Sequence, residues 1–131
     1  MNNRQLKFRA WDKLAKKFTY PDKGYQGHYV LTLNGQFQNL QNGSGGDDYV
    51  VQQFTGLKDS KGIEVWEGDI LVEKHDGGEG ESYIGVVTFV AGTFTLEGDT
   101  LYNYVFSHSP DILEDFTVEG NIFENSELLK Q

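Results

Sequence analysis

The chain has 131 residues, a net charge of −9, sixteen glycines, two prolines and no cysteine. That length is one domain's worth, and folding should bury roughly 65 to 70% of the surface the unfolded chain exposes. The absence of cysteine excludes disulfides, thiolate zinc sites and a cysteine nucleophile together, so packing must supply the stability.

No apolar run approaches the roughly eighteen residues a membrane span needs, and MNNRQLKFRAW at the start lacks the apolar stretch of a signal peptide. The expectation is a soluble, cytoplasmic protein with no membrane contact. Many glycines, 14% aromatics and scarce proline predict short strands and frequent turns, hence an all-β chain. Charge is unevenly spread: residues 1–23 hold seven of the eleven Lys and Arg against two acids, and the rest holds four against eighteen. A small positive pole on a negative body opposes general nucleic-acid binding and leaves a local basic contact open.

In chain order, residues 3–12 alternate with Leu6, Phe8 and Ala10 on one face and Gln5, Lys7, Arg9 and Trp11 on the other, which predicts a strand with a wet face. Residues 12–17, DKLAKK, form a turn, and 18–20 pair back before Pro21. Lys7, Arg9, Trp11, Lys13, Lys16 and Lys17 make a candidate contact surface for nucleic acid or phosphate. The bland alternative is a solvated strand whose cations answer the acidic body. Asn34-Gly35 between LTL and QFQNL predicts a hairpin with a type I′ turn, placing Tyr29, Leu31 and Leu33 on one face. NGSGGDD at 42–48 reads as a flexible, solvated loop; Asp47 and Asp48 supply too few oxygens for a calcium site.

Residues 54–72 are the densest instruction. A strand ends near Leu57, Asp59-Ser60-Lys61-Gly62 fits a type I turn, a second strand covers 63–66, and Gly68 with Asp69 turns the chain into a third. HDGGEGE at 75–81 collects a His, an Asp and two Glu, but three glycines deny them a rigid scaffold, and a loop is expected. Residues 83–90 are apolar on both faces, so a covered central strand is expected, with Gly85 at a bulge or close crossing. Strands follow at 93–97 and 101–106, after turns at Ala91-Gly92 and Gly98-Asp99. SHSPDILED at 107–115 suggests a helical turn, and His108 there lacks the partners of a hydrolytic triad. A last strand covers 116–123 with a kink at Gly120, and Asn125 caps a short terminal helix over 126–130.

Three blocks carry a likeness: LKFRAWDKLAKKF at 6–18, QFTGLKDSKGIEVWEGDI at 53–70 and EGNIFENSELL at 119–129. Together they resemble the YopX family of small bacteriophage and prophage proteins, whose central block runs Q-Y-T-G-L-x-D-x-x-G-x-x-I-Y-E-G-D-I. Phe54 and Trp66 stand where that pattern has tyrosines, and Ser126 where it usually has proline. The resemblance implies an SH3-like small barrel, and a homo-oligomer with a trimer as one form; it brings no established biochemical role.

Taken together, the expectation is a single domain over 1–131, with strands and hairpins in 1–48, a barrel in about 49–131 and a short C-terminal helix. Asp59, Gly62, Gly68 and Asp69 are read as turn-forming residues that serve the fold. No motif pairs a reacting group with an activator, so no enzyme, cofactor or metal is expected. A protein-interaction module acting on an unknown host or phage protein is the leading reading. A small-barrel protein binding nucleic acid through its basic first strand is the alternative.

Overall fold

The computed structural model describes residues 5–20, 29–73, 83–98, 112–129 and the backbone of 103–105. Its chain divides into two compact units, Met1–Gln53 and Phe54–Gln131.

In the first unit, β1 (Phe8–Asp12) lies antiparallel between β2 (Lys17–Thr19) and the opening residues of β5 (Tyr49–Asp59). A separate hairpin joins β3 (Tyr29–Leu31) to β4 (Phe37–Asn39). Ala10, Phe37 and Tyr49 form a buried cluster, with Tyr29, Leu31 and Val51 packed on it. Phe37 stacks on Tyr29 at 5.3 Å and meets Tyr49 at 4.7 Å between ring centroids, so the aromatic content is spent holding the hairpin to the sheet face.

The expected wet face of β1 is a buried one. Arg9 is 4% exposed and Trp11 8%, because β2 brings Phe18 opposite Trp11 and Tyr20 beside Arg9. Alternation supplies the period of a strand and says nothing about which side its neighbours will cover. Leu6, expected inside, precedes the strand and is exposed.

The β3–β4 turn also differs from expectation. Only Gly35 has positive φ (86°) there; Asn34 does not, and the Gly35 amide donates to the Thr32 carbonyl at 2.9 Å. This is a type I turn followed by a glycine in the left-handed region, not the two-residue type I′ turn. Asp59 to Ile63 repeats the arrangement, with the Gly62 amide donating to the Asp59 carbonyl at 3.0 Å and Gly62 at φ 81°. The two-residue turn with both φ positive occurs at Ala91 (52°) and Gly92 (80°).

In the second unit, β7 (Asp69–Glu73), β8 (Ile84–Val90), β9 (Thr93–Gly98), β10 (Asn103–Val105) and β12 (Phe116–Asn121) form an antiparallel sheet in the order β10-β9-β8-β7-β12. The later residues of β5 pair with β6 (Glu64–Trp66), around an irregularity at Gly56 (φ 88°), and in parallel with β11 (Ile112–Leu113). Val65 and Leu113 from these strands meet Leu71, Val87, Leu96 and Phe116 from the sheet in one buried cluster, and Phe54, Trp66 and Ile70 are buried as well.

The all-β class is as read, but the sheet does not close into a barrel among the described residues. The outer side of β12 shows why: Ser60 N–H donates to the Phe116 carbonyl at 3.0 Å, and Val118 N–H donates to Asp59 Oδ2 at 2.9 Å. A turn caps this edge, so no strand is needed there. Two further expectations shift. In β8, Val87 is buried but Phe89 and Val90 are exposed, so the strand is covered only away from its tip. The terminal helix is a single 3-10 turn, Ser126–Leu129.

Candidate functional site

Asp12 organises the β1–β2 turn. Its Oδ1 accepts from the amides of Leu14 (3.0 Å) and Ala15 (2.9 Å), and Lys16 takes φ 55° to bring the chain back. Lys13, Leu14, Lys16 and Lys17 are therefore exposed on a fixed tip. The other members of the basic set lie elsewhere: Lys7 is half-buried, Arg9 donates through Nε to Gln52 Oε1 at 2.9 Å and stacks 4.1 Å over the Phe18 ring, and Trp11 packs edge-on to Phe18 at 5.0 Å. Three lysines thus share a tip, while the guanidinium and the indole belong to an internal aromatic layer.

Asp59 is 1% exposed. Its Oδ1 accepts from Lys61 N–H (2.8 Å) and Ile63 N–H (2.9 Å), while Oδ2 reaches Val118. A carboxylate that holds its own turn and the neighbouring strand is engaged on both oxygens. Asp69 is likewise buried, and its Oδ2 accepts from the Trp66 amide at 2.8 Å. Gly68, at φ 86°, donates to the Val87 carbonyl (2.8 Å) and accepts from the Ile122 amide (2.9 Å), so the turn is tied to two further segments. Phe54 and Trp66, which replace the pattern's tyrosines, sit opposite each other across β5–β6, both buried, with rings 5.5 Å apart.

Sequence reading missed a second class of organiser, the asparagines. Asn39 Oδ1 accepts from the amides of Gln41 and Asn42, Asn42 Oδ1 takes Ser44 N–H at 2.9 Å, and the Ser44 and Tyr49 hydroxyls are 2.8 Å apart. The loop read as flexible is thus held by its own side chains, and Asp48 Oδ2 accepts from the Gly45 amide at 3.1 Å. Near the C-terminus, Asn121 Oδ1 accepts from Phe123 and Glu124 amides, and Asn125 Oδ1 from Asn121 N–H. The Asn125 side chain therefore faces back to Asn121 instead of capping the turn that follows. The available signal was Asn placed two or three residues before a chain reversal.

An open depression of about 380 Å³ lies over this first loop, lined by Gln38, Asn39, Leu40, Ser44 and Asp48 among others. Its walls are mostly polar. Among the described residues no three His, Asp or Glu side chains gather as metal ligands, and no helix is long and apolar enough to cross a membrane. The 75–81 loop and residues 107–111 with His108 lie outside the described residues; the rest of the expected helical turn is not helical, since Ile112–Leu113 form β11 and pair in parallel with β5.

At the β8–β9 tip, Phe89 and Phe94 pair edge to face at 5.0 Å, directly opposite in register. Phe89 is 52% exposed. A segment apolar on both faces implies cover on both sides, and at Phe89 that cover is missing.

These features define an all-β protein of two units in which the turn carboxylates Asp12, Asp48, Asp59 and Asp69 accept from backbone amides. The chain belongs to the YopX family, whose sequence model matches residues 7–130. Its fold is similar to the crystal structure of protein EF1440 from Enterococcus faecalis, with 29% identity over 98% of this chain and 100% of that one and a TM-score of 0.59. It is also similar to the crystal structure of yopX from Bacillus subtilis, with 18% identity over 95% and 98% of the two chains and a TM-score of 0.63. None of the curated proteins matches the chain.

Proposed function

We propose that the protein is a non-catalytic protein-interaction module of a bacteriophage or prophage, acting in the host cytoplasm on a host or phage protein. The supporting observation is where apolar side chains are displayed. Leu14, Leu33, Ile63 and Val90 stand exposed at turns, and Phe89 adjoins one of them. Turns ordinarily carry polar residues, and large apolar groups gain from being there only when a partner covers them.

The alternative, nucleic-acid binding, draws on the exposed lysines of the β1–β2 tip, Lys13, Lys16 and Lys17. The burial of Trp11 and Arg9 removes the stacking and bidentate groups that such a surface usually employs. Immobilised protein challenged with host lysate, with and without nuclease, separates the two. A protein retained regardless of nuclease supports the module, and retention abolished by nuclease supports the alternative.

Homo-oligomerisation belongs to the same proposal, because strand edges such as that of β2 are commonly covered by symmetric association. Sedimentation at high micromolar concentration should show a species larger than the monomer; monomer alone removes the idea.

A further inference from the structure

We infer that the depression over the loop between β4 and β5 is a binding site for one neutral sugar ring, with Asn39 as hydrogen-bond donor and Asp48 as acceptor.

Asn39 is 8% exposed, and the two ends of its amide are used unequally. Oδ1 accepts from the Gln41 and Asn42 amides, which fixes that atom as the oxygen and the other as the nitrogen. Nδ2 has no partner among the described residues, yet it is not sealed off, since every buried side-chain nitrogen and oxygen there is partnered. Asn39 lines the depression of about 380 Å³, and Nδ2 opens into it. A donor on a side chain already held by its own oxygen is set in place before any ligand arrives.

Two acceptors border the same hollow. Asp48 is half-buried, with Oδ2 on the Gly45 amide and Oδ1 left open. Ser44 Oγ donates to Asn42 Oδ1 at 2.6 Å, so the Tyr49 hydroxyl, 2.8 Å away, donates to Ser44 and one lone pair of Ser44 remains. Hydroxyl groups accept and donate at once, so a diol can take the Asn39 hydrogen on one oxygen and give its own hydrogen to Asp48 or Ser44. Leu40, 61% exposed, offers an apolar patch to the C–H face of a sugar ring.

Other ligand classes fail on the same inventory. The amides at 39, 41–45 and 48 all donate within the loop, so none of them is left to cradle a phosphate or to pair with a peptide strand. No Lys or Arg lines the depression, and an anion would meet the Asp48 carboxylate instead. A calcium ion needs about six or more oxygens, and Asp48 is the single carboxylate on these walls. An apolar ligand would find one leucine.

The test titrates the nitrogen-15-labelled full chain with glucose, galactose, mannose and N-acetylglucosamine, each as the free sugar and as its methyl glycoside, with inorganic phosphate as the anionic control. At least one sugar should shift the Asn39 side-chain amide pair and the backbone amides at 40–45 saturably, and phosphate should shift neither. Binding of the free sugar alone points to a soluble sugar, and binding of the methyl glycoside as well points to the terminal ring of a glycan. Asn39→Asp keeps an oxygen for the Gln41 and Asn42 amides and removes the donor. Asp48→Asn keeps an oxygen for the Gly45 amide and replaces the open acceptor by a donor. Each should weaken binding at least tenfold, the loss of one directed hydrogen bond, with the spectrum outside the loop unchanged. If Asn39→Asp does not fold, Asp48→Asn at its half-buried position decides. Saturable shifts from none of the four sugars overturn the inference, as do shifts centred away from this loop, equal shifts with phosphate, or a loss below tenfold in either folded variant.

Discussion

Asp59 and Asp69 both hold backbone amides with buried carboxylates. Asp59 accepts three amides from two segments, and Asp69 accepts that of Trp66 within its own turn. Removing an acceptor from a buried donor costs about 1 to 3 kcal/mol, less where water can replace it. Lys61 and Ile63 are exposed and their amides can rehydrate, whereas Trp66 is buried and Val118 partly so. Asp59→Ala should therefore cost about 2 to 4 kcal/mol and Asp69→Ala about 1 to 3, read as a lower midpoint in urea with an unchanged slope. Wild-type midpoints in both would return these carboxylates to the list of reactive groups. Gly120 is a comparable case: an added Cβ would lie 2.5 Å from Asn125 Oδ1, so Gly120→Ala should break the Asn125–Asn121 contact and lower the midpoint as well. The role of Asp59 in its turn was legible from the D-x-x-G spacing. Its bond to Val118 was not, since a contact 59 residues away leaves no mark on local pattern.

Among the elements, the turns show what a dipeptide can specify. Asn34-Gly35 suits a two-residue turn with both φ positive, and it suits equally a type I turn that ends on glycine, where Asn occupies a right-handed position. The structure takes the second arrangement, and Thr32 helps to fix it: its Oγ1 accepts from Gln36 N–H at 3.0 Å, as Asp59 Oδ1 does from Ile63. A hydrogen-bonding side chain at the first turn position and glycine at the fourth was the shared signature of both turns. Two opposite substitution effects follow. Asn34→Ala should be nearly neutral, while Gly35→Ala, at φ 86°, should cost about 1 to 2 kcal/mol. Ala91 is the reverse case, an L-residue already at φ 52°, so Ala91→Asn should stabilise by a few tenths to about 1 kcal/mol. Thermal melts of the three variants check the ordering, and a stabilising Gly35→Ala would contradict it.

At the scale of the whole molecule, the two units do not have equal means of support. The first buries four apolar side chains among the described residues, Ala10, Trp11, Phe37 and Tyr49, and its β3–β4 hairpin contributes only three register pairs. The second buries nine apolar side chains among the described residues, Phe54, Val65, Trp66, Ile70, Leu71, Val87, Leu96, Leu113 and Phe116, and its β8–β9 ladder is six pairs long. Strand positions were largely readable from alternation, but this partition was not, because which faces meet is decided by segments far apart in sequence. Apolar burial is the main favourable term in folding, so opening should be cheaper where less is buried. Amide hydrogen exchange should then show the β3–β4 residues protected by the smallest opening free energies, and Leu71, Val87 and Leu96 by the largest. Phe37→Ala should widen that gap. It removes the ring that meets both Tyr29 and Tyr49, and a buried Phe→Ala change costs about 3 to 5 kcal/mol, enough to expose the β3–β4 amides while protection at Val87 is retained. If Val87 loses protection in step with Leu31 in that variant, the two units open together and the unequal stability assigned to them is wrong.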